Sequence, residues 1–100
     1  MKIDPKYIHE LYQKHNIEPG VGTVYWFDGA CCPLGILGME NNISPTNIYK
    51  WASDKFGDDY KCGFYSGFDK GEGNSPRQNE HEGWENGVAV RKYLEQFYTI

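Results

Sequence analysis

The sequence predicts a mainly α protein, a small single-domain bundle of four to five short helices around a C-terminal helix, spanning residues 1–100. Three observations carry this. Acid-proline or serine-proline pairs open two amphipathic stripes; the last fifth of the chain is apolar over most of a helical wheel; and strand-like runs are too few to build a sheet of their own. The alternative is an α+β fold with a two-stranded ribbon.

Asp4 followed by Pro5 is a helix start, because the carboxylate accepts from the first unpaired N–H groups and proline needs no donor there. Tyr7, Ile8, Leu11, Tyr12 and His15 then share one face, and the helix is expected to end near Asn16, before Pro19 and Gly20. Thr23 to Phe27 is a short apolar run rich in strand-favouring residues. The chain then turns through Asp28-Gly29 and Cys32-Pro33 into the apolar stretch Leu34 to Met39. Ser44-Pro45 repeats the start signal, and Ile48, Tyr49, Trp51, Ala52 and Phe56 form a stripe closed by Gly57.

Tyr60 to Phe68 reads two ways. Aromatic residues at intervals of four, after Asp58 and Asp59, favour a helix; alternation of Tyr60, Cys62 and Phe64 would suit a strand pairing with Thr23 to Phe27, which is the route to the α+β alternative. Residues Asp69 to Asn79 lack apolar side chains and read as a long loop. From Glu82 to Tyr98 the residues Trp84, Val88, Val90, Tyr93, Leu94, Phe97 and Tyr98 predict a helix contacted on two sides, with Glu85, Lys92 and Gln96 on its solvated strip.

Composition limits the function. Ten basic against fourteen acidic residues, a net charge of −4, disfavour a phosphate-tracking surface, so nucleic acid is not an expected partner. The first ten residues lack the apolar run of a secretion signal, and no stretch approaches the roughly 20 apolar residues that span a bilayer, so no membrane is expected either. Three cysteines cannot all pair within one chain, which points to a reducing, cytoplasmic setting. An aromatic content of 16% exceeds what a core of this size needs and leaves rings for a surface, so a homodimer is expected over a monomer.

Candidate chemistry is sparse. Pro33 at a first helical position puts Cys32 at the cap, where a helix N-terminus favours thiolate; a reactive Cys32 stands against plain burial beside Cys31, Ala30, Leu34 and Ile36. Cys31, Cys32, Cys62 and His81 show no zinc spacing, so neither metal nor cofactor is expected. His9 reads as solvated, His15 as a helix-end cap and His81 as part of a solvated helix start. Arg91 falls between Trp84 and Val88 on one side and Leu94 and Tyr98 on the other. It either ties helices together through Glu95 or Asp69, or binds an anion in an aromatic pocket with Trp84 and Tyr98.

Gly63, Gly67 and Gly71, with the pair Gly83 and Gly87 flanking Trp84, are the remaining signal, since glycine within a helix costs about 1 kcal/mol unless something must approach the backbone. The leading expectation is a protein-binding regulator, inhibitor or adaptor whose aromatic and glycine-rich surface, with Phe64, Phe68, Trp84, Arg91 and Tyr98, engages another protein or its own copy. A small-molecule or nucleotide-metabolite binder that holds an anionic ligand on Arg91 is the second reading, and a cysteine-dependent enzyme using Cys32 is the third.

Overall fold

In a computed structural model that describes residues 1–22, 29–70 and 77–100, the first start signal acts as its chemistry predicts, whereas Ser44-Pro45 opens only a 3-10 turn and Ser44 makes no side-chain cap bond. Asp4 caps α1 (Pro5–His15) by accepting from the Lys6 amide at 3.1 Å, and Asn16 closes the helix in the left-handed region at φ 53°. Glu18–Pro19 and Ala30–Cys31 form β1 and β2, a parallel pair in which Glu18 faces Ala30 and Pro19 faces Cys31. Cys32 is the N-cap of α2 (Pro33–Glu40). A 3-10 turn at Pro45–Asn47 leads into α3 (Ile48–Phe56), which Gly57 ends at φ 92°. Then come α4 (Asp58–Lys70), a second 3-10 turn at Gln78–Glu80 and α5 (His81–Leu94).

The fold is mainly α with a very small sheet, and it differs from the expected ribbon. Tyr60 to Phe68 lies inside α4, where Asp58 and Asp59 occupy the first turn and complement its dipole. The strand pair is instead β1 with β2, extended by the Gly20 amide donating to the Cys31 carbonyl at 3.0 Å. The run Thr23 to Phe27 and residues 71–76 of the anticipated loop lie outside the described residues; the helix itself reaches Lys70. Among the described residues no helix is long and apolar enough to cross a membrane.

The helices form a closed ring of neighbours, in which α1 packs on α2, α2 on α3, α3 on α4, α4 on α5, and α5 back on α1. Pro33 to Gly38 are all buried, so the short α2, apolar all round, is sunk deepest. The core joins Ile8, Leu11 and Tyr12 of α1 to Leu34 and Ile36 of α2, Ile48 and Ala52 of α3, Phe64 and Phe68 of α4, and Val90 and Leu94 of α5. The Tyr12 hydroxyl stays satisfied inside it by donating to the Cys31 carbonyl at 2.7 Å.

α4 and α5 make the tightest pair, and the glycines are the cause. They run parallel, since Tyr60, Phe64 and Phe68 meet Gly83, Gly87 and Arg91 in register. A Cβ on Gly63 would stand 2.1 Å from the Glu80 carbonyl oxygen, and one on Gly67 would stand 2.3 Å from that of Trp84. From the other side, Gly83 and Gly87 aim at the Tyr60 and Phe64 oxygens at 2.1 and 2.2 Å. Each glycine therefore turns a Cα–H toward a carbonyl of the opposite helix, which lets two backbones touch.

Candidate functional site

The residues expected to form one binding surface separate in three dimensions. Phe64 and Phe68 are core residues, 0% and 1% exposed, because their face of α4 points into the ring of helices. Gly63, Gly67, Gly83 and Gly87 are consumed by the α4–α5 contact, so that part of the anticipated surface is internal, while Gly71 lies outside the described residues. Trp84 is partly buried on α5 and lies near-parallel to the His81 ring at 6.4 Å; its indole N–H is buried without a hydrogen-bond partner among the described residues.

Arg91 takes the structural role. Its guanidinium donates to the Phe68 and Asp69 carbonyls at 2.9 and 2.7 Å, at the end of α4 where carbonyls lack helical partners, and lies 3.8 Å from Glu95. Those oxygens occupy the group expected to receive an anion. Tyr98 is elsewhere, packed between His9 and Tyr12 at the far end of α5.

Cys32 resolves in favour of burial. It is 1% exposed, and burial pushes its thiol up to about 12, while the amides of Gly35 and Leu34 at the start of α2 pull weakly the other way. Cys31 is also buried and is pushed up to about 12 for the same reason. Burial favours the protonated thiol at both positions, which weighs against Cys32 as the nucleophile of the enzyme reading. Among the described residues no group of three or more His, Cys, Asp or Glu side chains is placed to hold a metal ion.

One ring cluster does reach the surface, and it includes Tyr98. The turn beyond α5, in which the Phe97 and Tyr98 amides donate back to the Leu94 carbonyl at 2.9 and 3.0 Å, swings both rings against α1. There His9 stacks on Phe97 at 4.0 Å and 14° between planes, and meets Tyr93 and Tyr98 edge-on at 6.1 and 5.6 Å. Tyr93 also tilts against Phe97 at 5.4 Å. Phe97 remains 50% exposed. Burial raises the Tyr98 hydroxyl above its usual range and keeps it a neutral donor.

Sequence reasoning missed His9 here. It lies beside the apolar stripe of α1, and the rings it meets are over eighty positions away, so only the i, i+4 pair Tyr93 and Phe97 hinted at a patch. Two cavities among the described residues lie apart from this cluster. An open depression of about 430 Å³ is lined by Asn42, Ile43, Ser44, Asn47, Lys50, Trp51 and Asp54, and a smaller one of about 180 Å³ lies beside Lys2, Tyr60 and Glu82. No protein-family model matches the chain, and neither a curated protein nor a solved structure shows significant similarity to it.

Proposed function

We propose that this chain is a small cytoplasmic protein-binding module, a regulator, inhibitor or adaptor, that docks another protein or its own copy on the cluster of His9, Tyr93, Phe97 and Tyr98. The observation that carries the reading is the half-exposed Phe97 ring, held flat by His9 beneath it and flanked by Tyr93, with Tyr98 edge-on to the same His9. Pre-positioned aromatic rings bury large area on contact at little entropic cost, and tyrosine adds a hydroxyl for orientation, which is why such groups dominate binding hot spots. Three free cysteines suit a reducing compartment.

The test is affinity capture with wild type and Phe97→Ala, followed by reconstitution of the captured complex from purified components. Truncating a central ring is expected to weaken the complex by about 2 kcal/mol or more, roughly thirtyfold in Kd, with the melting temperature lowered only modestly because half of the ring is exposed. Light scattering separates self-association from a foreign partner. A folded Phe97→Ala protein that binds as tightly as wild type removes the reading.

A further inference from the structure

Beyond the ring cluster, we infer that the depression between the end of α2 and the outer side of α3 is a binding site for a neutral sugar ring. Its volume of about 430 Å³ exceeds what one monosaccharide needs, and its lining combines one large flat apolar surface with a dense set of uncharged polar groups. The apolar surface is the partly buried Trp51 indole, anchored by the Phe56 ring edge-on at 6.3 Å and by packing against the core. The polar groups are the side chains of Asn42, Ser44 and Asn47.

These groups are pre-arranged. Asn47 Nδ2 donates to Ser44 Oγ at 3.1 Å, and Ser44 Oγ lies 3.2 Å from Thr46 Oγ1, so the hydroxyls and amides of the turn before α3 hold one another in place. Asn42 projects from a left-handed backbone position at φ 59°, where the chain leaves α2. Within the lining, Lys50 and Asp54 form an ion pair at 3.1 Å, and the nearby Lys55 ammonium lies over the Trp51 ring at 5.9 Å and over the Phe56 ring at the same distance.

That pairing selects the ligand class. A phosphate or carboxylate would need a cation in the lining free to face it, and an ammonium ligand a free carboxylate there, whereas Lys50 and Asp54 face each other and Lys55 rests on the rings of Trp51 and Phe56. A sugar instead presents a face of C–H groups to stack on the indole and a rim of hydroxyls that both donate and accept, matching amide and hydroxyl partners of mixed polarity.

The experiment is a titration followed by nitrogen-proton NMR, using glucose, galactose, mannose and N-acetylglucosamine as probes and inorganic phosphate as the charged control. At least one sugar is expected to shift the Trp51 indole and the Asn42 and Asn47 side-chain amides saturably, with Kd on the order of 1 mM, while phosphate leaves them in place. Asn47→Ala, at an exposed position, is expected to weaken that binding about tenfold. Trp51→Ala is expected to abolish it and also to lower stability, because the indole touches the core; Asn47→Ala carries the test on its own. Absence of saturable shifts with all four sugars, shifts confined to another surface, or binding that Asn47→Ala leaves unchanged overturns the assignment. None of these outcomes bears on capture through Phe97, which lies on α5's terminal turn.

Discussion

Two adjacent thiols show which of two opposing effects wins at a single residue. Cys32 has the position that activates cysteines, the cap of a helix, yet burial outweighs the amides around it. In the unfolded chain a thiol ionises at roughly pH 8.5. In the fold both thiols hold their protons until about 12, so above pH 8.5 or so the unfolded state releases protons that the native state keeps. Their contribution to stability is complete below that point and is lost as pH rises toward 12. Denaturant titrations from neutral pH to about pH 10 are expected to show a steeper alkaline loss for wild type than for the Cys31→Ala, Cys32→Ala double variant. Iodoacetamide at pH 8 is expected to label the partly exposed Cys62 first and to spare Cys31 and Cys32 until the chain unfolds, as read by mass spectrometry. Rapid native labelling of Cys32 contradicts the burial argument.

Among the elements, α4 and α5 are defined by what their side chains lack. Gly83→Ala would drive a methyl group to 2.1 Å from the Tyr60 carbonyl, and because the obstacle is backbone, the helices must separate. We expect a loss of about 3 kcal/mol or more, against a gain if helix propensity alone decided the outcome; thermal unfolding reports the sign. Glu40 links α2 to α1 instead by charge, receiving Lys14 at 2.8 Å and His15 at 2.9 Å. Hydrogen bonds from Lys14 and His15 hold its carboxyl below the usual range. The stabilisation from this lowered carboxyl is present above the unfolded value and is lost as acid protonates it, so the melting temperature of wild type is expected to fall on the acid side more than that of Glu40→Gln. The boundaries of α1 were readable because they are written locally, as a cap, a stripe and a terminator; for α3 the stripe and the terminating Gly57 were readable, but Ser44-Pro45 starts a 3-10 turn three residues ahead of the helix. The partners of the glycines were not readable. Their spacing announced a close approach, but a glycine carries no mark that says whether the approaching backbone belongs to another molecule or lies twenty residues away. Phe64 and Phe68 shared that ambiguity, since a ring looks the same in a sequence whether it fills a core or a surface.

For the whole molecule, one buried amide adds a polar link to the packing that closes the ring of helices. Asn86 is 1% exposed on α5, and its Oδ1 accepts from both the Ile3 amide at 3.0 Å and the Tyr60 hydroxyl, while its Nδ2 donates to the Ile3 carbonyl at 2.8 Å. The Lys2 amide in turn donates to the Tyr60 hydroxyl at 3.1 Å. One side chain thus pairs with the backbone as a neighbouring strand would, joining the segment before α1 to α4 and α5 across 83 positions of sequence. Such a link between sequence-distant residues is invisible to periodicity, and Asn86 reads in isolation as an ordinary polar position on a helix. Asn86→Ala leaves the Ile3 amide and carbonyl buried without that partner, and the expected loss is about 2–4 kcal/mol. Asn86→Asp separates the parts of the network: it keeps both acceptor bonds but turns an oxygen toward the Ile3 carbonyl, so it is expected to be destabilising as well, although it conserves shape. Hydrogen exchange at the Ile3 amide is expected to accelerate in both variants before the core of α2 does, because the start of the chain is released while the sunken helix remains covered. If Asn86→Ala unfolds at the wild-type denaturant midpoint and Ile3 stays protected, the ring is closed by packing of α1 on α5 alone, through Leu94 and the Tyr12–Tyr98 contact.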